Sequence, residues 1–144
     1  MTEKDRLEDI KRIVIPVDKT DASKNAVKKG AYLAKLLGVK AKIITVNDTH
    51  QFISSVVIEE KLKKDAEAFL EEYKKIGKDM GVTFETELIS GNPAEEIVKF
   101  VKDDDLIIMA HHEKKMGIDQ FMVGSVSRDV VRNAPCSVLV IKYK

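Results

Sequence analysis

Tryptophan is absent from this 144-residue chain, cysteine occurs once, and 25 basic and 24 acidic side chains nearly cancel, leaving a formal charge of +1. Each scarcity removes a class of protein. The lone Cys136 excludes an intramolecular disulfide. No run of about eighteen apolar residues and no apolar leader is present, so neither membrane insertion nor export is expected, and the reducing cytoplasm is the expected location. The balanced charge provides no global field to recruit nucleic acid or an anionic membrane, so any polyanion site has to be local. Proline is also rare. Pro16, Pro93 and Pro135 each fall where an element is expected to begin or end. Abundant Lys, Glu, Ile and Val with only two Gln is a composition found in heat-adapted proteins. What remains suits one domain over 1–144, able to bury roughly two-thirds of its unfolded surface without staples.

Residues 1–9 are polar and charged and read as a loose N-terminal arm. Ile13-Val14-Ile15-Pro16-Val17 is β-branched on both faces, the pattern of a covered strand, with proline near its end. Asp18 follows it, Thr20 or Asp21 can cap a helix from Ala22 to Leu37, and Gly38 closes that helix. Ala41 to Val46 is a second buried strand, followed by a polar loop from Asn47 to Ser55. Ile58, Leu62, Ala66, Phe69, Tyr73, Ile76 and Met80 then recur four and three apart, which predicts a long helix lying on the sheet rather than a coiled-coil seam. Thr83 to Ile89 alternates polar and apolar residues, as a strand with one open face does. Asn92, Pro93 and Glu95 assemble a helix start, Leu106 to Ala110 is a fourth strand, Val126 to Asn133 a last short helix, and Cys136 to Tyr143 a closing strand.

Strands alternating with helices imply a parallel sheet of five strands with helices on both faces. The first and fourth strands are the least polar and belong at the centre. The third belongs at an edge, which predicts the order 3-2-1-4-5 and a topological switch between strands one and four. Ligands bind beyond the carboxyl ends of such strands, so Pro16, Val17 and Asp18 are expected to face Ala110 and His111 across a crevice. The segment Ala110 to Ser127 is expected to cover it, ending in Gly124-Ser125-Val126-Ser127 at the mouth of the last helix. A glycine there lets a bulky group approach, and the N–H groups and hydroxyls that follow suit a phosphate. The plainer alternative, a helix cap with no ligand, also fits this pair.

Four blocks resemble the universal stress protein family: Ile13-Val14-Ile15-Pro16-Val17-Asp18, Gly91-Asn92-Pro93-Ala94-Glu95-Glu96-Ile97, Asp105-Leu106-Ile107-Ile108-Met109, and the run from Val123 to Lys142. The resemblance covers nearly the whole chain. It implies a small cytoplasmic Rossmann-like α/β dimer of the adenine nucleotide alpha hydrolase-like fold, often without catalytic activity. Many members bind ATP, with Mg2+, through a glycine, two residues, a second glycine, nine residues and then Gly-Ser or Gly-Thr. Here Gly124-Ser125 is present, but the two earlier positions hold His111 and Lys114. A Cβ and a long side chain fill space that those glycines leave open, while Lys114 offers a point charge to a phosphate. The resemblance places Asp18 by the adenosine part and Gly124, Ser125, Val126 and Ser127 by the phosphates, with Val46 kept at the end of the second strand.

Other chemistry finds less support. His111-His112-Glu113 are adjacent on an extended chain and cannot converge on Zn2+. Ser125 lacks a nucleophile elbow. Cys136, after a proline at the start of a core strand, reads as packing. Asp18 as a general base competes with Asp18 as an acceptor for a ligand hydroxyl or a helix N–H. Two functions stand: a non-enzymatic stress-response protein acting through protein contacts with a degenerate nucleotide pocket, and an ATP-binding sensor or slow ATPase. The last strand, apolar on both faces and unpaired along one edge, predicts a homodimer through residues 137 to 142.

Overall fold

The computed structural model describes residues 9–48, 56–112 and 118–143. The chain runs β1 (Arg12–Pro16), α1 (Asp21–Leu37), β2 (Lys40–Asn47), α2 (Val56–Asp79), β3 (Phe84–Ser90), α3 (Pro93–Phe100), β4 (Asp105–His112), α4 (Ile118–Asn133) and β5 (Ser137–Tyr143). All four strand pairings are parallel, in the order β3-β2-β1-β4-β5. The expected architecture is the observed one, with the alternating strand at one edge and the closing strand at the other. All of the expected arm of 1–9 except Asp9, and all of the loop after β2 beyond Asp48, lie outside the described residues.

Alternation along the central strands feeds two separate cores. Ile13 and Ile15 of β1, Ile43 of β2 and Ile108 of β4 face α1 and α2, joined by Ala26, Val27, Leu70 and Tyr73. Val14, Ile44, Ile107 and Met109 face α3 and α4, joined by Ala94, Ile97 and Val130. Six isoleucines on the three inner strands are fully buried, so both faces of the sheet centre are dry. Helix α1 approaches β1 closely because Gly30 has no side chain: a Cβ there would run into Ile15 Cδ1.

Local signals set the helix ends. Thr20 caps α1, its side chain accepting from the Ser23 N–H at 3.2 Å, and Gly38 ends it in the left-handed region at φ 68°. Asn92 caps α3 through the Glu95 N–H at 3.1 Å, with Pro93 in the first position.

Most element ends shift by a residue, and two boundaries that bear on the site differ by more. β4 continues to His112, so His111 lies in a strand rather than in a covering loop. α4 begins at Ile118 rather than at Val126, so Gly124 is an interior residue of the helix and not its mouth. The physical reason is that glycine costs a helix interior only about 1 kcal/mol relative to alanine. Residues 118–133 contain no proline to stop the helix sooner.

At the amino ends of the two central strands, Arg12 and Asp105 are register partners. The guanidinium grips the carboxylate twice, Nε to Oδ1 at 3.0 Å and Nη2 to Oδ2 at 2.7 Å, while the Lys102 N–H donates to Oδ2 at 2.8 Å. This hydrogen-bonded pairing holds the Arg12 pKa above its ordinary value. The opposite ends of the same strands are left to build the site.

Candidate functional site

Beyond the carboxyl ends of β1 and β4, on the side of α3 and α4, lies a crevice of about 620 Å³. That volume is within the usual range for small-molecule sites. Pro16, Val17 and Asp18 line it from β1 and its loop, Val46 from β2, Ala110 from β4, and Ser125 and Val126 from α4. Seven of the eleven residues expected at the site therefore share one cavity. Ile44, Met109, Pro93 and Ile97 add an apolar wall, while Asn92, Asp48 and Asp129 add polar groups.

The first loop is held from four sides. Asp18 Oδ1 accepts from the Thr20 N–H at 3.0 Å, from the Thr20 hydroxyl, and from the Ser23 hydroxyl at 2.8 Å. The Ser23 hydroxyl in turn accepts from the Asp18 N–H at 2.9 Å. Asp18 is thus an acceptor for groups of the helix start, the plainer of the two roles open to it from sequence. Its carbonyl accepts from the Tyr73 hydroxyl of α2 at 2.7 Å, and the preceding Val17 carbonyl accepts from the buried Thr45 hydroxyl of β2 at 2.8 Å. The Tyr73 phenol is pushed up to about 12, first by burial and then by the charge of Asp18. The Val17 and Asp18 carbonyls each have a side-chain donor from a neighbouring element, which holds the turn to β2 and α2.

The remaining site candidates fall elsewhere. His111 follows Met109 on the same face of β4, and its Nδ1 lies 2.9 Å from Ser127 Oγ of α4. Ser127 is buried. That contact joins β4 to α4 just past the crevice wall, so His111 and Ser127 hold each other rather than line the cavity. The amides of Ser125, Val126 and Ser127 lie well past the first turn of α4 and belong to the intrahelical ladder, where N–H groups are already paired. The helix-mouth geometry expected for a phosphate is accordingly not what surrounds them. Lys114 lies outside the described residues.

Among the described residues lining the crevice none is Lys, Arg or His, and no group of three or more His, Cys, Asp or Glu among the described residues could hold a metal ion. Cys136 is half-buried, and burial pushes its thiol up to about 11, which keeps it protonated and unreactive at neutral pH. No helix among the described residues is long and apolar enough to cross a membrane.

Sequence reasoning found Thr20 as a cap but not Ser23 and Tyr73 as builders of the first loop, and it found Asn92 as a cap but not Asn92, Asp48 or Asp129 as lining. Ser23, three residues after a capping threonine, was a readable signal. Tyr73 was not, because a periodic stripe reports its ring and is silent about its hydroxyl.

A sheet of order 3-2-1-4-5 with a crevice at the β1/β4 switch defines a Rossmann-like α/β protein with room there for a small molecule. The model of the universal stress protein family matches residues 9–142, and the chain belongs to that family. It is similar to Universal stress protein MJ0531 of Methanocaldococcus jannaschii, at 38% identity over 92% of this chain and 82% of the relative. Among solved structures it resembles protein MJ0577, with TM-score 0.78 and 30% identity over 93% of this chain and 96% of that one. It also resembles the universal stress protein from Archaeoglobus fulgidus in complex with dAMP, with TM-score 0.69 and 26% identity over 92% and 98% of the two chains.

Proposed function

We propose that this chain is a cytoplasmic stress-response protein that acts without catalysis, as a homodimer and through contacts with other proteins. Its crevice keeps the nucleoside end of an adenine nucleotide pocket, and the phosphate end is closed down. The observation that carries this reading is the pairing of an intact inner end with an altered outer one. Asp18 and Val46 line an open crevice, while α4 runs unbroken through Gly124 and His111 is tied to Ser127. The apolar wall of Ile44, Val46, Pro93 and Met109 suits a planar base. The dAMP complex of the Archaeoglobus fulgidus relative supports an adenine ligand carrying one phosphate. His111 and Lys114, at the two motif positions where glycine would leave room, count against a triphosphate.

A second reading, an ATP-binding sensor or slow ATPase with Mg2+, is favoured by one observation. Ser125 and Val126, the residues expected near phosphate, line the same crevice as Asp18.

Titration calorimetry with dAMP and with ATP plus Mg2+, joined to an ATP-turnover assay, separates the two. Turnover at the uncatalysed rate is expected, with dAMP bound at least as tightly as ATP. The double change His111→Gly, Lys114→Gly is expected to tighten ATP binding tenfold or more, about 1.4 kcal/mol. Tight ATP binding by the unaltered protein, weakened by the double change, would make Lys114 a phosphate ligand and overturn the proposal.

A further inference from the structure

Three carboxylates, Asp18, Asp48 and Asp129, line the crevice, and none of the described residues beside them there is cationic. They are not equivalent. Asp18 is committed through Oδ1 to Thr20 and Ser23, and Asp48 is engaged by other partners. Asp129 is exposed, among the described residues its carboxylate forms no ion pair, and its backbone carbonyl accepts from Asn133 Nδ2 at 3.0 Å. It stands four residues after Ser125 on the same helix, and such residues share a face with Cβ atoms about 5–6 Å apart. Both line the crevice, so a ligand phosphate beside Ser125 meets the Asp129 charge at short range. Next to the crevice, the contact of His111 with Ser127 ties β4 to α4.

We propose that Asp129 is a charge sieve: one helical turn past Ser125 on the crevice wall, it admits adenine nucleotides with one phosphate and turns away those with three. This inference rests on the adenine-nucleotide reading of the crevice. Each phosphate added to the ligand adds negative charge at a site that supplies negative charge of its own. The discrimination is electrostatic, so it fades as the Debye length falls from about 10 Å at 0.1 M salt to about 3 Å at 1 M.

The test is calorimetry of AMP and ATP in EDTA, without divalent metal, on the unaltered full chain, Asp129→Asn and Asp129→Lys. The unaltered protein should prefer AMP. The preference should shrink at least threefold in Asp129→Asn, shrink further in Asp129→Lys, and shrink in the unaltered protein when NaCl rises from 0.1 to 1 M. Binding of AMP with the same AMP-to-ATP ratio in all three proteins overturns the sieve and leaves the adenine reading standing. Absence of binding by either nucleotide to the unaltered protein overturns both.

Discussion

Tyr73 offers the sharpest test of how the first loop is held, because its hydroxyl donates to the backbone of that loop, chiefly to the Asp18 carbonyl and at 3.5 Å to the Thr20 carbonyl. It reaches from α2 to the Asp18 carbonyl at 2.7 Å, and the side chain is 3% exposed. Tyr73→Phe keeps the ring and strands that carbonyl, which costs about 1–2 kcal/mol at neutral pH. The pH dependence gives a second, independent magnitude. The folded pKa of about 12 stands above the ordinary phenol value of 10.0. Folding therefore favours the protonated phenol, and this contribution is fully present below pH 10 and is lost as pH rises towards 12. Two pH units correspond to about 2.7 kcal/mol at most. The neutral-pH advantage of the unaltered protein should thus be cancelled near pH 11, where the two stability curves cross. Guanidinium unfolding of both proteins between pH 7 and pH 11.5, compared as a difference, removes the shared titration of lysines and of Cys136. Parallel curves over that range would show that the Tyr73 hydroxyl is not the donor that holds this turn.

Other perturbations probe separate parts of the fold. Arg12→Met should cost about 3–5 kcal/mol because it leaves the 2%-exposed Asp105 carboxylate without its ion partner. Adding Asp105→Leu should recover at least about 1 kcal/mol of that loss in urea unfolding, and a further loss would refute the buried-charge account. Gly77→Ala should destabilise despite alanine's better helix propensity, since the new Cβ meets the Phe84 ring and comes within 2.9 Å of the Val82 carbonyl. A net cost of about 1–3 kcal/mol is expected, and an unchanged or raised melting temperature would count against it. The β5 edge, with Leu139 38% and Val140 36% exposed, should pair with a second copy. Light scattering at micromolar concentration should give twice the chain mass, falling to the single mass for Leu139→Pro or Val140→Lys, and a monomer or an unaffected dimer would exclude this interface.

The sheet order was legible because burial on both faces leaves a plain mark: β1 and β4 carry apolar residues at every inner position, whereas β3 alternates. Helix starts with strong caps, at Thr20 and Asn92, were legible for the same local reason. The start of α4 was not. A glycine followed by serine looks like a helix mouth, and a cost of about 1 kcal/mol does not decide whether the helix stops there or runs through. Leu70 is buried beside the stripe that the four-and-three spacing picks out, because the face of α2 on the sheet is wider than a seam. The crevice walls from Asp48 and Asp129 depend on where β2 ends and on the rotation of α4, neither of which the chain states locally. The pairing of Arg12 with Asp105 joins residues 93 positions apart, and each reads alone as an ordinary surface charge.

That separation has a consequence for how the protein is made. β1 is made before the other described strands, yet one of its two neighbours, β4, begins 93 residues later. At a synthesis rate of about 5–20 residues per second, β1 waits about 5–20 s with one side of its backbone unmatched and its isoleucines without their partners on β4. A nascent chain carrying β1 to β3 therefore presents an apolar, half-paired strand to the cell. Its native core closes only when β4 emerges.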